Sequence, residues 1–276
     1  MKLALLQQVT GPDKMDNFAL FEPLIRDAAR SGATLIVLPE GASQAFEQGR
    51  LDTQAEELDG PFASGLKHLA DELDVTIVAG LFRPADTQVK DGKVINRVYN
   101  TALITGGGVH KGYDKIHTYD AFNYAESDTV KPGDELVTFV HDGVLVGVAI
   151  CFDIRFPEQF QEFARRGCEV VVVPTSWADG PGKLDQWRLL AAGRALDTGM
   201  FIAAAGQARP DHENKAGEKS GPTGIGHSVV VRPDGTFIEE AGYGPQTIVV
   251  DIDVAEVAET RRALPLAAMS LKSEMN

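Results

Sequence analysis

Three side chains in this sequence have types and settings suited to covalent chemistry: Glu40, Lys115 and Cys151. Cys151 closes the apolar run Val144–Cys151 and is followed at once by Phe-Asp-Ile-Arg-Phe-Pro-Glu158. A thiol that only fills space needs no polar neighbours. A nucleophilic thiol needs them, because an ordinary cysteine with a pKa of about 8.5 is mostly protonated at neutral pH. Free cysteine is also among the most buried residue types, so the inert reading stays open. Glu40 follows Val-Leu-Pro at the end of another apolar run. It is either a solvated acid opening the Gly41-Ala-Ser43 loop or a carboxylate whose pKa burial lifts toward general-base work. Lys115, in Gly-Tyr-Asp-Lys-Ile-His117, is either a loop charge or a fixed cation for an oxyanion. His117 invites a Cys-His pairing, and the sequence gives that pairing little else to stand on.

Composition narrows the partners. The chain of 276 residues carries 26 Lys and Arg against 40 Asp and Glu, a net charge of −14, which repels phosphate backbones and anionic lipid. Nucleic acid and membrane are therefore not expected partners. Only two cysteines occur, Cys151 and Cys168, and no His/Cys cluster has zinc-ligand spacing, so neither a disulfide framework nor a metal or other cofactor is expected. The start Met-Lys-Leu-Ala-Leu-Leu runs straight into a strand-like segment without a leader's longer apolar region and cleavage site, and a cytoplasmic protein is expected.

The elements that must position these residues read as alternating strands and helices. Short apolar runs fall at 3–9, 33–38, 75–81, 101–105, 144–151, 169–173, 200–206, 227–231 and 247–252. Helical spacing marks 15–30, 61–73, 157–166 and 183–198. The class is α/β, and strands apolar throughout must be covered on both faces, as in a layered sandwich. The halves echo each other: Gly32 precedes Pro39 as Gly167 precedes Pro174, each a helix end returning through a buried strand. One domain over 1–276 is expected, with a polar loop at 209–223 and a C-terminal tail from about 255 onward.

Taken together, Leu-Pro-Glu40, Tyr-Asp-Lys115-Ile-His and Cys151-Phe-Asp-Ile-Arg-Phe-Pro-Glu158 resemble the nitrilase superfamily of carbon–nitrogen hydrolases. Pro174-Thr-Ser-Trp177 and Arg194-Ala-Leu-Asp197 extend the likeness over essentially the whole chain. The resemblance implies a four-layer α-β-β-α sandwich with two pseudo-symmetric αβ halves. It implies Glu40 as general base, Lys115 as stabilising cation and Cys151 as nucleophile, with Glu126 as a second glutamate. It also places the Phe152 backbone N–H at the oxyanion and Ser176 and Trp177 near substrate.

The segment after Cys151 looks like the amidase branch, which includes ω-amidases and deaminated-glutathione amidases. The implied reaction is hydrolysis of a small carboxamide to acid and ammonia through a cysteine thioester. Nitrile or N-carbamoyl hydrolysis, and a non-catalytic binding module, are the alternatives. A homodimer or higher homo-oligomer is the implied assembly, with a small-molecule amide as substrate. Arg155 is expected to pair with Glu158 and brace the turn. Asn123, Trp177 and Arg209 are the expected specificity positions, and Arg155, Arg188 and Arg209 are the candidates to anchor a substrate carboxylate.

Overall fold

The apolar runs become strands whose alternate residues face opposite layers. The computed structural model describes residues 1–121 and 124–266. In β1 (Lys2–Gln7), Leu3 and Leu5 join a core cluster with residues of the second half of the chain, whereas Ala4 and Leu6 pack under the helices of the first. α1 (Lys14–Arg30) begins where the Asp13 carboxylate accepts from the backbone N–H of Met15 and Asp16, filling orphan donors of the first turn. It leads to β2 (Leu35–Val37), and α2 (Pro61–Leu73) then leads to β3 (Thr76–Lys90), β4 (Lys93–Gly106) and β5 (Val109–Asp114). A small ribbon follows, of β6 (Asp120–Ala121) and β7 (Tyr124–Ala125).

The second half repeats this plan. β8 (Thr138–His141) pairs with β9 (Val144–Val148); α3 (Pro157–Arg165) leads to β10 (Val170–Thr175), and α4 (Lys183–Thr198) to β11 (Phe201–Gly206). β12 (Val229–Val231), β13 (Phe237–Glu240) and β14 (Gln246–Asp251) complete the strands, and α5 (Ala255–Ala263) follows.

Two six-stranded sheets result, ordered β14-β1-β2-β3-β4-β5 and β13-β12-β11-β10-β9-β8. In each, three parallel strands are flanked by antiparallel ones, so β1, β2 and β3 correspond to β9, β10 and β11. The glycines that end α1 and α3 correspond as well, Gly32 at φ +87° and Gly167 at φ +89°, a left-handed turn that favours glycine. The sheets face each other, with α1 and α2 outside one and α3 and α4 outside the other. This is the four-layer α-β-β-α sandwich, with the two halves related as the sequence echo suggested. Among the described residues no helix is long and apolar enough to cross a membrane.

Three expectations need correction. Cys151 does not end a strand: β9 stops at Val148 and the cysteine opens a 3-10 turn, Cys151–Arg155. Residues 255–263 are helical, because Val257 is buried and Arg261 donates to the carbonyls of Cys168 and Thr198, contacts with no trace in local periodicity. The remainder of the expected tail, 267–276, lies outside the described residues. Finally, β3 and β4 run on as a two-stranded arm to Lys90 and Lys93, beyond the apolar stretch that marked them.

At the end of the sandwich where β8 meets the first sheet, His141 ties the halves together. Its ring nitrogens lie 2.9 Å from Thr34 Oγ1 and 3.0 Å from Thr76 Oγ1. Burial holds the imidazole below its ordinary pKa of 6.5. With the folded value below the unfolded one, the stabilising contribution is complete above about pH 6.5 and is lost as pH falls from there. His141→Ala is expected to cost about 1–3 kcal/mol at pH 7.5 in urea unfolding and to weaken the decline in stability on acidification. An equal decline in both proteins would remove His141 as its source.

Candidate active site

Five segments, from three strand ends and two turns, converge on a single buried cluster. Glu40 lies just past β2, where the chain passes so close to β3 that a Cβ on Gly80 would lie 2.6 Å from the Glu40 Cα. Only glycine fits there. Gln207, just past β11, donates through Nε2 to the carbonyls of Glu40 (3.1 Å) and Gly41 (3.2 Å), fixing this loop from the opposite sheet. Lys115 follows β5, and its backbone N–H donates to the Asn100 carbonyl at 2.8 Å. Glu126 opens the 3-10 turn Glu126–Asp128, and its Oε2 accepts from the Tyr119 backbone N–H at 2.6 Å.

The Lys115 ammonium donates to Glu40 Oε1 at 3.0 Å and to both Glu126 oxygens, at 3.1 and 2.9 Å. All three side chains are at most 2 % exposed. Glu40 Oε2 accepts from the Ser176 backbone N–H at 2.7 Å, and the Cys151 thiol lines the same cavity as Glu40 and Ser176, near enough for both to shift its proton affinity. The sequence-expected Glu40, Lys115, Glu126, Cys151 and Ser176 are thus brought together. Ser176 takes part through its backbone, for its hydroxyl donates to the Pro222 carbonyl at 2.7 Å.

Burial dominates the electrostatics. It raises the Glu40 carboxyl above its ordinary value, and repulsion from Glu126 adds to that, while Lys115 works against it. It pushes the Cys151 thiol well up, helped by Glu40 and opposed by Lys115 and the Ser176 N–H. Burial alone would pull Lys115 down, but Glu126, Glu40 and Cys151 together hold it well above the usual lysine range. Burial thus favours the protonated thiol and raises the proton affinity of the Glu40 carboxyl, while its neighbours hold Lys115 as a cation.

The turn that presents the thiol is braced by Asp153. Cys151 has φ +44°, a left-handed conformation that costs a non-glycine residue energy and persists only where its surroundings impose it. Asp153, fully buried, accepts from the Ile150 N–H (2.9 Å) and the Tyr113 hydroxyl (2.7 Å) on Oδ2, and from the His117 N–H (3.0 Å) on Oδ1. His117 Nδ1 lies 2.8 Å from the same Oδ1, and its ring stacks on Phe156 at 3.6 Å. His117 is thereby turned to Asp153, and the Cys-His pairing is replaced by the contact with Glu40. One carboxylate fixes both Ile150, just before Cys151, and the residues two places to either side of Lys115, Tyr113 and His117.

A cavity opens beside the thiol, lined by Glu40, Lys115, Cys151, Phe152, Trp177 and Arg155 among others. The expected Arg155–Glu158 pair does not form. The guanidinium instead bonds Gln186 Oε1 at 2.8 Å and lies 4.9 Å over the Trp177 ring, because the 3-10 turn aims it into the cavity. Arg188 pairs with Glu240 and Arg209 with the buried Asp179, so neither serves the cavity. Asn123 lies outside the described residues. Among those described, no three His, Cys, Asp or Glu side chains converge to hold a metal ion.

Sequence reasoning missed Asn100, fully buried between the two glutamates, and the bracing by Tyr113. Asn100 was open to suspicion, since asparagine is uncommon in strands and this one opens the apolar stretch Thr-Ala-Leu-Ile.

The carbon–nitrogen hydrolase pattern matches residues 2–262. The chain belongs to the carbon–nitrogen hydrolase family. It is 44% identical over 263 residues to a hydrolase of Mycobacterium tuberculosis, covering 95% of this chain and 92% of that one. It is 32% identical over 274 residues to the omega-amidase NIT2 of Homo sapiens, covering 96% and 93%. The crystal structure of Saccharomyces cerevisiae Nit3, a member of branch 10 of the nitrilase superfamily, superposes with a TM-score of 0.79 at 27% identity, covering 100% of this chain and 97% of that one.

In this carbon–nitrogen hydrolase, Asp153→Asn sets an amide N–H against at least one of the four donors that meet there. It is expected to lower the urea-unfolding free energy by about 1–3 kcal/mol, and Tyr113→Phe, which removes a single donor, by about 1 kcal/mol. An Asp153→Asn protein as stable as the parent would show that the bracing is not needed.

Proposed function

We propose that this hydrolase cleaves the carboxamide of a small carboxylate-bearing acid, releasing ammonia through a thioester on Cys151. The observation that carries this reading is the placement of Glu40, with one oxygen on the Lys115 ammonium and the other on the Ser176 N–H, on the wall of the same cavity as the Cys151 thiol. A carboxylate so held can take the thiol proton while the neighbouring cation stays charged.

In the first half-reaction Glu40 accepts the Sγ proton and the thiolate attacks the amide carbon. The carbonyl electron pair moves onto oxygen, where Lys115 and the Phe152 backbone N–H stabilise the charge. The C–N bond then breaks, the leaving nitrogen takes the proton from Glu40, and ammonia departs. In the second half-reaction Glu40 takes a proton from water, whose oxygen attacks the thioester, and Cys151 leaves and is reprotonated. Glu126 keeps the ammonium in place throughout. The raised proton affinity of Glu40 suits both directions of transfer.

Arg155 supports an anionic substrate. It lines the cavity, is oriented by Gln186 and Trp177, and stands near Lys183, another cation of the lining. A guanidinium so fixed matches a carboxylate's two oxygens, which favours the ω-amide of a dicarboxylic or keto acid over a neutral amide. The likeness to an omega-amidase points the same way. For the assembly we propose a homodimer formed across α4, where Leu189 (73%) and Leu196 (48%) stand exposed two turns apart. A monomeric mass in sedimentation would remove that assembly.

Ammonia release is the deciding measurement, on a panel of α-ketoglutaramate, α-ketosuccinamate, a neutral aliphatic amide and a nitrile. The ω-amides are expected to be turned over and Cys151→Ser to be inactive. Arg155→Leu is expected to lose about 10- to 100-fold in kcat/KM on the ω-amides, as for a charged hydrogen bond, and little on the neutral amide. Unchanged turnover by Cys151→Ser, or equal losses on all amides in Arg155→Leu, would overturn the corresponding assignment.

A further inference from the structure

The buried cluster sets two carboxylates against one ammonium, so something besides Lys115 must hold the carboxylates together. Asn100 is the side chain placed to do it. It lies on β4 opposite Phe82 and pairs through its carbonyl with the Lys115 N–H. Its Nδ2 donates to Glu40 Oε1 at 2.7 Å and to Glu126 Oε1 at 3.1 Å. These are two of the oxygens that Lys115 Nζ also holds, at 3.0 and 3.1 Å. Two donors and two carboxylate oxygens thus close a four-cornered ring, with Lys115 and Asn100 at opposite corners.

The orientation of the amide is fixed by chemistry, for only the nitrogen end can face two carboxylate oxygens. Asn100 Oδ1 is left buried with no partner among the described residues, an arrangement that costs stability. An asparagine retained there at that cost is better explained by its effect on the carboxylates than by packing. We propose that Asn100 is a positioning residue for the general base, pinning Glu40 against Lys115 and keeping it in the ionised form that accepts the Cys151 proton. This rests on the reading of Glu40 as that base.

The charged and titratable groups around Glu40 come from every element packed on it: Lys115 beyond β5, Tyr124 on β7, Glu126 from the turn after β7, and Cys151 from the turn after β9. The Ser176 N–H beyond β10 completes the shell. Of these, Glu126 opposes ionisation of Glu40 and Lys115 favours it, and the Asn100 hydrogen bond acts in the same sense as Lys115. Removing it leaves repulsion and desolvation less opposed, so the pH below which Glu40 is protonated rises.

The test is the pH profile of kcat/KM for ammonia release from an amide that the parent enzyme hydrolyses, in Asn100→Leu and Asn100→Ser. The acid limb is expected to move up by about one pH unit, a loss of about tenfold at its acid end that shrinks as pH rises. KM is expected to be little changed, since Asn100 stands behind the glutamates and not on the cavity wall. A loss equal at every pH, or no loss, would overturn the proposal and leave Asn100 a packing residue. The serine variant supplies the same readout if the leucine variant does not fold. Failure of the reading of Glu40 is told apart by the parent itself, which would then lack an acid limb, and the role of Asn100 would fall with it.

Discussion

An ammonium ion almost without access to water, held by two carboxylates and reaching toward a thiol, is the interaction on which this molecule's architecture depends. Moving three charges into a dry interior costs several kcal/mol apiece before their attraction is counted. That cost is offset only if each oxygen and each donor is met at hydrogen-bonding distance, and the meeting groups come from far apart in the chain. Glu40 and Lys115 are separated by 75 residues and Glu40 and Ser176 by 136. A cluster of this kind cannot form locally and then wait for a fold. It exists only where two sheets present their strand ends to one another at fixed spacing.

The doubled architecture supplies that spacing without duplicating the chemistry. β2 and β10 correspond, yet Glu40 follows the first while Thr175 and Ser176 stand at the end of the second and offer Glu40 a backbone N–H. β1 and β9 correspond, yet Gln7 ends the first and binds the backbone of residues 228, 242 and 244, whereas the turn beyond the second presents Cys151. Each pair has one member that presents a side chain of the cluster and one that braces. The polar side chains Gln7, Gln207 and Ser228 cross between the sheets near this end, so the seam beside the chemistry is hydrogen-bonded, as it is at His141, while the core between the sheets is apolar.

What the sequence disclosed follows the same division. Runs such as Val170–Val173 announce buried strands because burial on both faces leaves no polar position, and the Gly32 and Gly167 turns announce the repeat because their backbone conformation restricts the residue. Glu40, Lys115, Glu126 and Cys151 were legible as a set through family resemblance and only weakly one by one. Asn100 and Asp153 were not legible in their roles. Their meaning lies in partners that only the fold brings near, and an asparagine in a strand looks the same whether it faces carboxylates or solvent. The expected Arg155–Glu158 pair failed for a related reason: the two are near in sequence, but the 3-10 turn at Cys151 changes the direction in which Arg155 leaves the backbone and sends it to the cavity.

The position of Arg155 on the cavity wall bears on how any small anion reaches it. The molecule carries a net charge of −14, so at a distance it repels an anion, and the cationic cavity wall is felt only near the mouth. Counter-ions at physiological ionic strength damp fields beyond about 8 Å, which removes most of the far repulsion while sparing contacts made inside. Capture and retention are therefore governed by different parts of the same charge distribution. The acidic exterior thins the local population of small anions, and selection is left to the last few ångströms of approach.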